Sequence, residues 1–224
     1  MKVNTSKTSM ICFSDAMSYG AEAFIHDADG NRIDSGPTMK ILGFHFSDKP
    51  TMHAHVQALQ KRFKRQYWTL YHLRKAGFSQ DELVKVYRTV ILPLADYCQV
   101  VYHPMISDEQ DQAIERLQSR ALKCIYGPDL SYRQMRDRAG VTTLRQRQIE
   151  ASDKFAGKCL TTSRFSSWFP LKPPTWGRNS EKYLEEYARC NRLRDTPIFF
   201  YLRRRLNRKP GRKYGERNKK YRDT

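Results

Sequence analysis

MKILGFHFSD, residues 39–48, is the stretch at which this chain changes character. Before it lie short alternating runs with strand character. After it, from Thr51 to about Arg164, nearly every segment carries helical spacing. Ile41, Leu42, Phe44 and Phe46 supply apolar and aromatic bulk for an extended segment. Gly43 removes a side chain among them, which in a strand marks a bulge, a close backbone approach or simply easier packing. The stretch predicts the last strand of a sheet handing over to helices. The expected fold class is α+β, mostly α: a small antiparallel sheet at the N-terminus, a helical bundle and a basic tail.

Working backwards, Ser9–Ser14 predicts a strand that is apolar on both faces, with Ile11 and Phe13 opposite Met10 and Cys12. Glu22–His26 and Arg32–Asp34 flank an Asp29-Gly30 turn signal and predict a hairpin. About four short strands make a thin sheet that needs a covering layer.

Working forwards, Val56, Leu59, Phe63, Tyr67, Leu70 and Tyr71 predict a helix over residues 51–75, with Lys61, Arg62, Lys64 and Arg65 on its other side. Ser79 caps a second, broadly apolar helix that runs through Val101 with a kink at Pro93. Ser107 and Gln110 form a capping box for a helix over Asp108–Tyr126, with Ile114, Leu117, Ala121, Leu122 and Ile125 inward. A short helix over Ser131–Ala139 follows, then one from Thr143 to about Thr162, with Leu144, Ala151, Phe155, Cys159 and Leu160 on its inner side. The Pro- and aromatic-rich stretch after Ser163 reads as a strap, with late helices over Ser180–Leu193 and Thr196–Asn207. The expected divisions are thus 1–50, 51–164, 165–208 and a disordered basic tail at 209–224.

The chain has 41 Lys and Arg against 23 Asp and Glu, a net +18 that points to a polyanionic partner. Residues 189–224 hold 14 basic and 3 acidic residues, a net +11, leaving +7 on the body. The body is therefore basic in its own right. Five scattered cysteines without CxxC spacing read as reduced thiols of a nuclear or cytoplasmic protein. The opening residues lack the apolar core of a signal peptide, and no run approaches the ~18 apolar residues of a membrane span.

Three sets of residues together resemble one family. Asn4-Thr5-Ser6-Lys7-Thr8 followed by MICFS is similar to an Asn-x-x-Lys-Thr segment, and Lys40-Ile41-Leu42-Gly43-Phe44 to a Tyr-Leu-Gly segment, with Ile41 in the aromatic's place. The helical runs at 73–104, 114–127 and 192–207 follow in matching order. The family is the reverse transcriptases of non-long-terminal-repeat, LINE-like retrotransposons. The resemblance implies residual palm strands with a primer grip over 1–50, a thumb-like domain over 51–164, and RNA or an RNA/DNA hybrid as partner. It makes Lys7 a lysine near the incoming nucleotide's phosphates.

The resemblance begins just after the family's Tyr-x-Asp-Asp turn, whose carboxylates hold two metal ions in the complete enzyme. No Asp-Asp dipeptide occurs in this chain. Asp27 and Asp29 read as turn residues, Asp108, Glu109 and Asp111 as helix-start acids, and His26, His45, His53 and His55 as ordinary histidines. The expectation is therefore a nucleic-acid-binding portion with no catalytic residue or cofactor of its own, Mg2+ belonging only to a complete parent enzyme. Expected contacts are Lys7, Leu42, Gly43, Phe44, Lys61, Arg62, Lys64, Arg65, Arg203, Arg204, Arg205, Lys209, Arg212 and Lys213. Two alternatives stand beside it: a subunit docking on a separate palm-and-fingers polypeptide or another protein, and a relic of a mobile element.

Overall fold

Three of the described helices start on serine. Ser79, Ser107 and Ser131 each accept a hydrogen bond from the backbone three residues on, while Glu82, Gln110 and Gln134 reach back to the serine's own N–H. Each box satisfies two backbone donors that a helix end otherwise leaves open. The architecture follows from a computed structural model, which describes residues 8–13, 23–27, 29–49, 51–167 and 169–170. It is α+β and mostly α. Two compact units, Met1–Ala151 and Ser152–Thr224, divide the chain.

In the first unit come strands β1 (Phe24–His26), β2 (Arg32–Asp34), β3 (Thr38–Ile41) and β4 (Phe44–Ser47). Helices α1 (His53–Lys75), α2 (Gln80–Val86), α3 (Leu92–Asp96), α4 (Gln99–Tyr102), α5 (Asp108–Tyr126) and α6 (Tyr132–Ala139) follow, and α7 (Leu144–Thr161) begins. The strands form two separate antiparallel pairs, β1 with β2 and β3 with β4, in place of the expected four-stranded sheet. Over residues 8–13 the expected strand reduces to one bridge, Met10 to Ser35, with Phe13 exposed. A single paired residue offers too few ladder bonds to hold an extended segment.

The larger correction concerns MKILGFHFSD itself. It is a hairpin and not one strand: Ile41 pairs with Phe44, Met39 with Phe46, and Leu42-Gly43 make the two-residue turn. Both turn residues have positive φ, 48° and 83°, the signature of a type I′ turn. Such turns prefer Asn-Gly. Leucine in the first position hides the signal.

The core joins this hairpin to the helices. Phe44 is buried with Val56, Leu59, Phe63 and Leu70 of α1, and with Ile114, Leu122 and Ile125 of α5. Tyr67 and Tyr71, expected on that inner stripe, are instead about two-fifths exposed. In α5 all five expected inward residues are buried, and the helix has the expected bounds.

The second expected helix is broken. Pro93 has no N–H to close the turn onto Thr89, and the chain accommodates this with a π-turn over Tyr87–Ile91, where the Leu92 N–H donates to the Tyr87 carbonyl. The extra residue rotates α3 by about one helical step, roughly 100°. Leu83, Tyr87 and Ile91 are buried up to the end of the turn, and Leu92 and Ala95 after it, while Val90 and Tyr97 face outward. Cys98 then ends α3 in the left-handed region at φ 55°.

Polar contacts inside the unit set the later helices. Glu115 accepts from the Tyr132 hydroxyl and from the backbone N–H groups of Leu144 and Arg145, so it caps α7 from a distance. Asp96 takes both arms of Arg147, and Arg145 bonds Asp111 at 2.9 Å. At the start of α7 the Gln146 N–H donates to the Thr143 hydroxyl, whereas the Gln146 side chain donates to Glu150 instead of reaching back to close a capping box. The buried face of α7 carries Leu144, Gln148, Ser152, Ala156 and Cys159, so the expected Ala151 and Phe155 lie at its edge.

The second unit contains the rest of α7 and α8 (Ser163–Ser166). Its small core is Ala156, Cys159 and Phe169, with Phe155 and Phe165 packed against it. The expected helices over Ser180–Leu193 and Thr196–Asn207, and the tail, lie outside the described residues.

Candidate nucleic-acid interface

The β3–β4 turn projects Leu42 into solvent, 88% exposed, on a backbone that a Cβ-bearing residue adopts at a cost of about 1 kcal/mol. Its conformation is held from two sides. Arg62 of α1 donates to the Gly43 carbonyl at 3.0 Å, and the Tyr97 hydroxyl donates to the Leu42 carbonyl. Tyr97 can do so because the π-turn before Pro93 has rotated it outward. A Cβ at Gly43 would sit 3.4 Å from the Arg62 guanidinium and 3.9 Å from the Tyr97 ring, so the close approach suits glycine.

Behind the turn, Phe44 is 4% exposed and stacks on His55 at 4.2 Å. His55 Nδ1 takes a long 3.5 Å bond from the His45 N–H, and its Nε2 has no partner among the described residues. Burial first, then the charges of His45 and Arg62, hold the His55 pKa down to about 4. Burial also lowers His45, with Lys40 and Arg62 adding repulsion. Both rings are therefore neutral near pH 7. His53, two residues from His55, is exposed and pairs with Gln57.

Helix α1 carries six Lys or Arg and no Asp or Glu in 23 residues. Lys61, Lys64 and Arg65 are exposed, whereas Arg62 is half-buried against the hairpin. The structure thus brings Leu42, Gly43 and Arg62 together and leaves Lys61, Lys64 and Arg65 free-facing along the same helix. Phe44 belongs to the core under the turn. Lys7, Arg203, Arg204, Arg205, Lys209, Arg212 and Lys213 lie outside the described residues.

The sequence reading missed a second feature of α1. Trp68 is 61% exposed, stacks on His72 at 5.5 Å, and meets Tyr71 edge-on at 5.9 Å. Lys75 lies over the Tyr71 ring at 5.0 Å. Beside Trp68, a groove of about 420 Å³ runs between α1 and α5, with Phe63 and Leu117 in its floor and Lys64 and Arg120 among its lining residues. The available signal was the run QYWTLYH, which holds more aromatics than one inner stripe needs.

No protein-family model, curated protein or solved structure matches this chain. Among the described residues, no three His, Cys, Asp or Glu side chains are grouped so that they could hold a metal ion. No described helix is long and apolar enough to cross a membrane.

Proposed function

We propose that this chain is a nucleic-acid-holding portion of a retrotransposon-type RNA-directed DNA polymerase, binding RNA or an RNA/DNA hybrid inside the cell without performing nucleotidyl transfer itself. The observation that carries the reading is the β3–β4 turn: a strained, solvent-facing Leu42 whose carbonyl and that of Gly43 are clamped by Tyr97 and Arg62. Strain of this kind persists only where surrounding contacts over-determine it, and it clusters where a protein meets a ligand. The turn would press on the backbone of a bound strand, as the primer-grip resemblance implies. Lys61, Lys64 and Arg65, one helical face away from the arginine that holds the turn, would neutralise its phosphates.

The reading assigns no catalytic carboxylate to this chain, and Mg2+ belongs to the polymerase as a whole. A separate palm-and-fingers polypeptide would then be a partner. Phe24 and Ile25 on β1, both more than two-fifths exposed, support docking of another protein as a second reading.

The test is a salt titration of full-chain binding to a single-stranded and a hybrid-duplex oligonucleotide. Lys61→Ala/Lys64→Ala/Arg65→Ala should weaken both and flatten the plot of log K against log salt by about two units. Unchanged affinity and slope would move binding off α1 and end the reading.

A further inference from the structure

Most exposed apolar side chains stand alone and need no explanation; Trp68 does not stand alone. It forms one wall of the α1–α5 groove together with Tyr67, over a floor of Phe63 and Leu117, each under 10% exposed. Burial raises the pKa of Tyr67 and that of the neighbouring Cys124 thiol, so both stay protonated near neutrality. Among the described residues, the only charged side chains lining the groove are the cations Lys64 and Arg120. Trp68 itself is braced by His72 behind it.

We propose that this groove is a binding site for one unpaired base of a single-stranded polynucleotide. The base would lie against the face of Trp68 above the Phe63 and Leu117 floor, and the phosphates on either side of it would meet Lys64 and Arg120. This inference rests on the nucleic-acid-binding reading and adds to it a preference for strands with exposed bases. The occupant follows from the combination of surfaces. A flat aromatic wall is satisfied by any base, because every base has a π face, and two cations without a carboxylate between them favour a chain bearing one negative charge per residue. An aliphatic helix from a protein partner would use the floor but leave both cations unmatched.

The geometry separates this site from the hairpin. The turn is held by Arg62, whereas the groove uses Lys64, Tyr67 and Trp68, the next turn along α1 and a different face. A paired strand can reach the turn and the phosphate-facing lysines with its bases still stacked. Only an unpaired base can enter the groove.

The experiment uses the full chain, a single strand carrying one 2-aminopurine, and a fully paired duplex of equal length. Binding is followed by anisotropy and by quenching of the 2-aminopurine. Trp68→Ala should weaken single-strand binding on the order of tenfold and abolish the quenching, with less than a threefold effect on the duplex. Trp68→Phe should restore most of both. Equal losses on single strand and duplex, or quenching that survives Trp68→Ala, would overturn the base site while leaving the broader reading intact. If the native chain binds neither oligonucleotide, the broader reading falls and takes this one with it. Should Trp68→Ala instead dissolve a self-associated form in sedimentation, a second copy of the chain is the occupant and the proposal is wrong.

Discussion

The two hairpins among the described residues are built alike and held differently. The β1–β2 pair closes on itself: the Asp27 carboxylate accepts from the Asp29 and Asn31 N–H groups at 2.9 and 2.8 Å and from the Asn31 side chain, while Phe24 and Ile25 face solvent. The β3–β4 pair has no such side-chain staple in its turn. Phe44 enters the helical core, and Arg62 and Tyr97 hold the turn from outside. An isolated hairpin is marginal in water, so the first depends on local turn chemistry and the second on docking. Local chemistry makes a shape; docking makes a shape whose tip can be strained and still persist.

Four measurements would break or sharpen that contrast. Phe44→Ala should remove about 3 kcal/mol of stability in urea titration, because it deletes a core ring. Ile25→Ala on the free hairpin should stay within ~0.5 kcal/mol. Similar losses at the two positions would mean that β3–β4 is not docked as described.

The second measurement is acid. Unfolded, His55 titrates near 6.5, whereas burial holds it at about 4 in the folded protein. Protonation therefore favours unfolding between those values. Its contribution is complete above pH ~6.5 and falls by about 2 kcal/mol by pH 5. Asp27 behaves differently: hydrogen bonds from Asn31 hold its carboxyl below the ordinary 3.8, so its contribution lasts until pH falls below that value. Amide exchange at pH 5 should accordingly loosen β3–β4 while leaving the β1–β2 turn protected, and His55→Phe should flatten the global loss. An acid slope unchanged by that substitution would remove His55 as its source.

The third is Arg62→Ala, expected to cost about 1 kcal/mol and to raise exchange at the turn more than elsewhere. A uniform effect along α1 would mean that the arginine supports the helix and not the hairpin. The smallest is Leu42→Asn, which restores the residue that a type I′ turn prefers and should raise stability by ~0.5 kcal/mol, read as a higher melting temperature. Combined with weaker oligonucleotide binding, that gain would mark Leu42 as kept for contact and not for folding. A loss of stability would show that the turn is not strained.

What the sequence determined by itself is whatever depends on neighbours along the chain. Ser107 with Gln110, the acids of the first turn and Gly127-Pro128 bound α5 completely, because caps and stops act over three or four residues. Asp29-Gly30 located the first hairpin for the same reason. The basic stretch of α1 was equally legible, since charge is read directly from residue type. Only the tertiary structure decided the rest. Leu42 gives no turn signal, and it takes its conformation from Arg62, 19 to 20 residues away, and from Tyr97, 55 away. Tyr97 points there only because Pro93 forces a π-turn that rotates the helix beyond it, a shift invisible to any pattern that assumes a constant 3.6-residue period. The Trp68 groove likewise exists only once α5 lies beside α1, since Leu117 of its floor and its second cation, Arg120, come from that later helix. Periodicity assigns a residue to a face; which face is left uncovered depends on what else packs there.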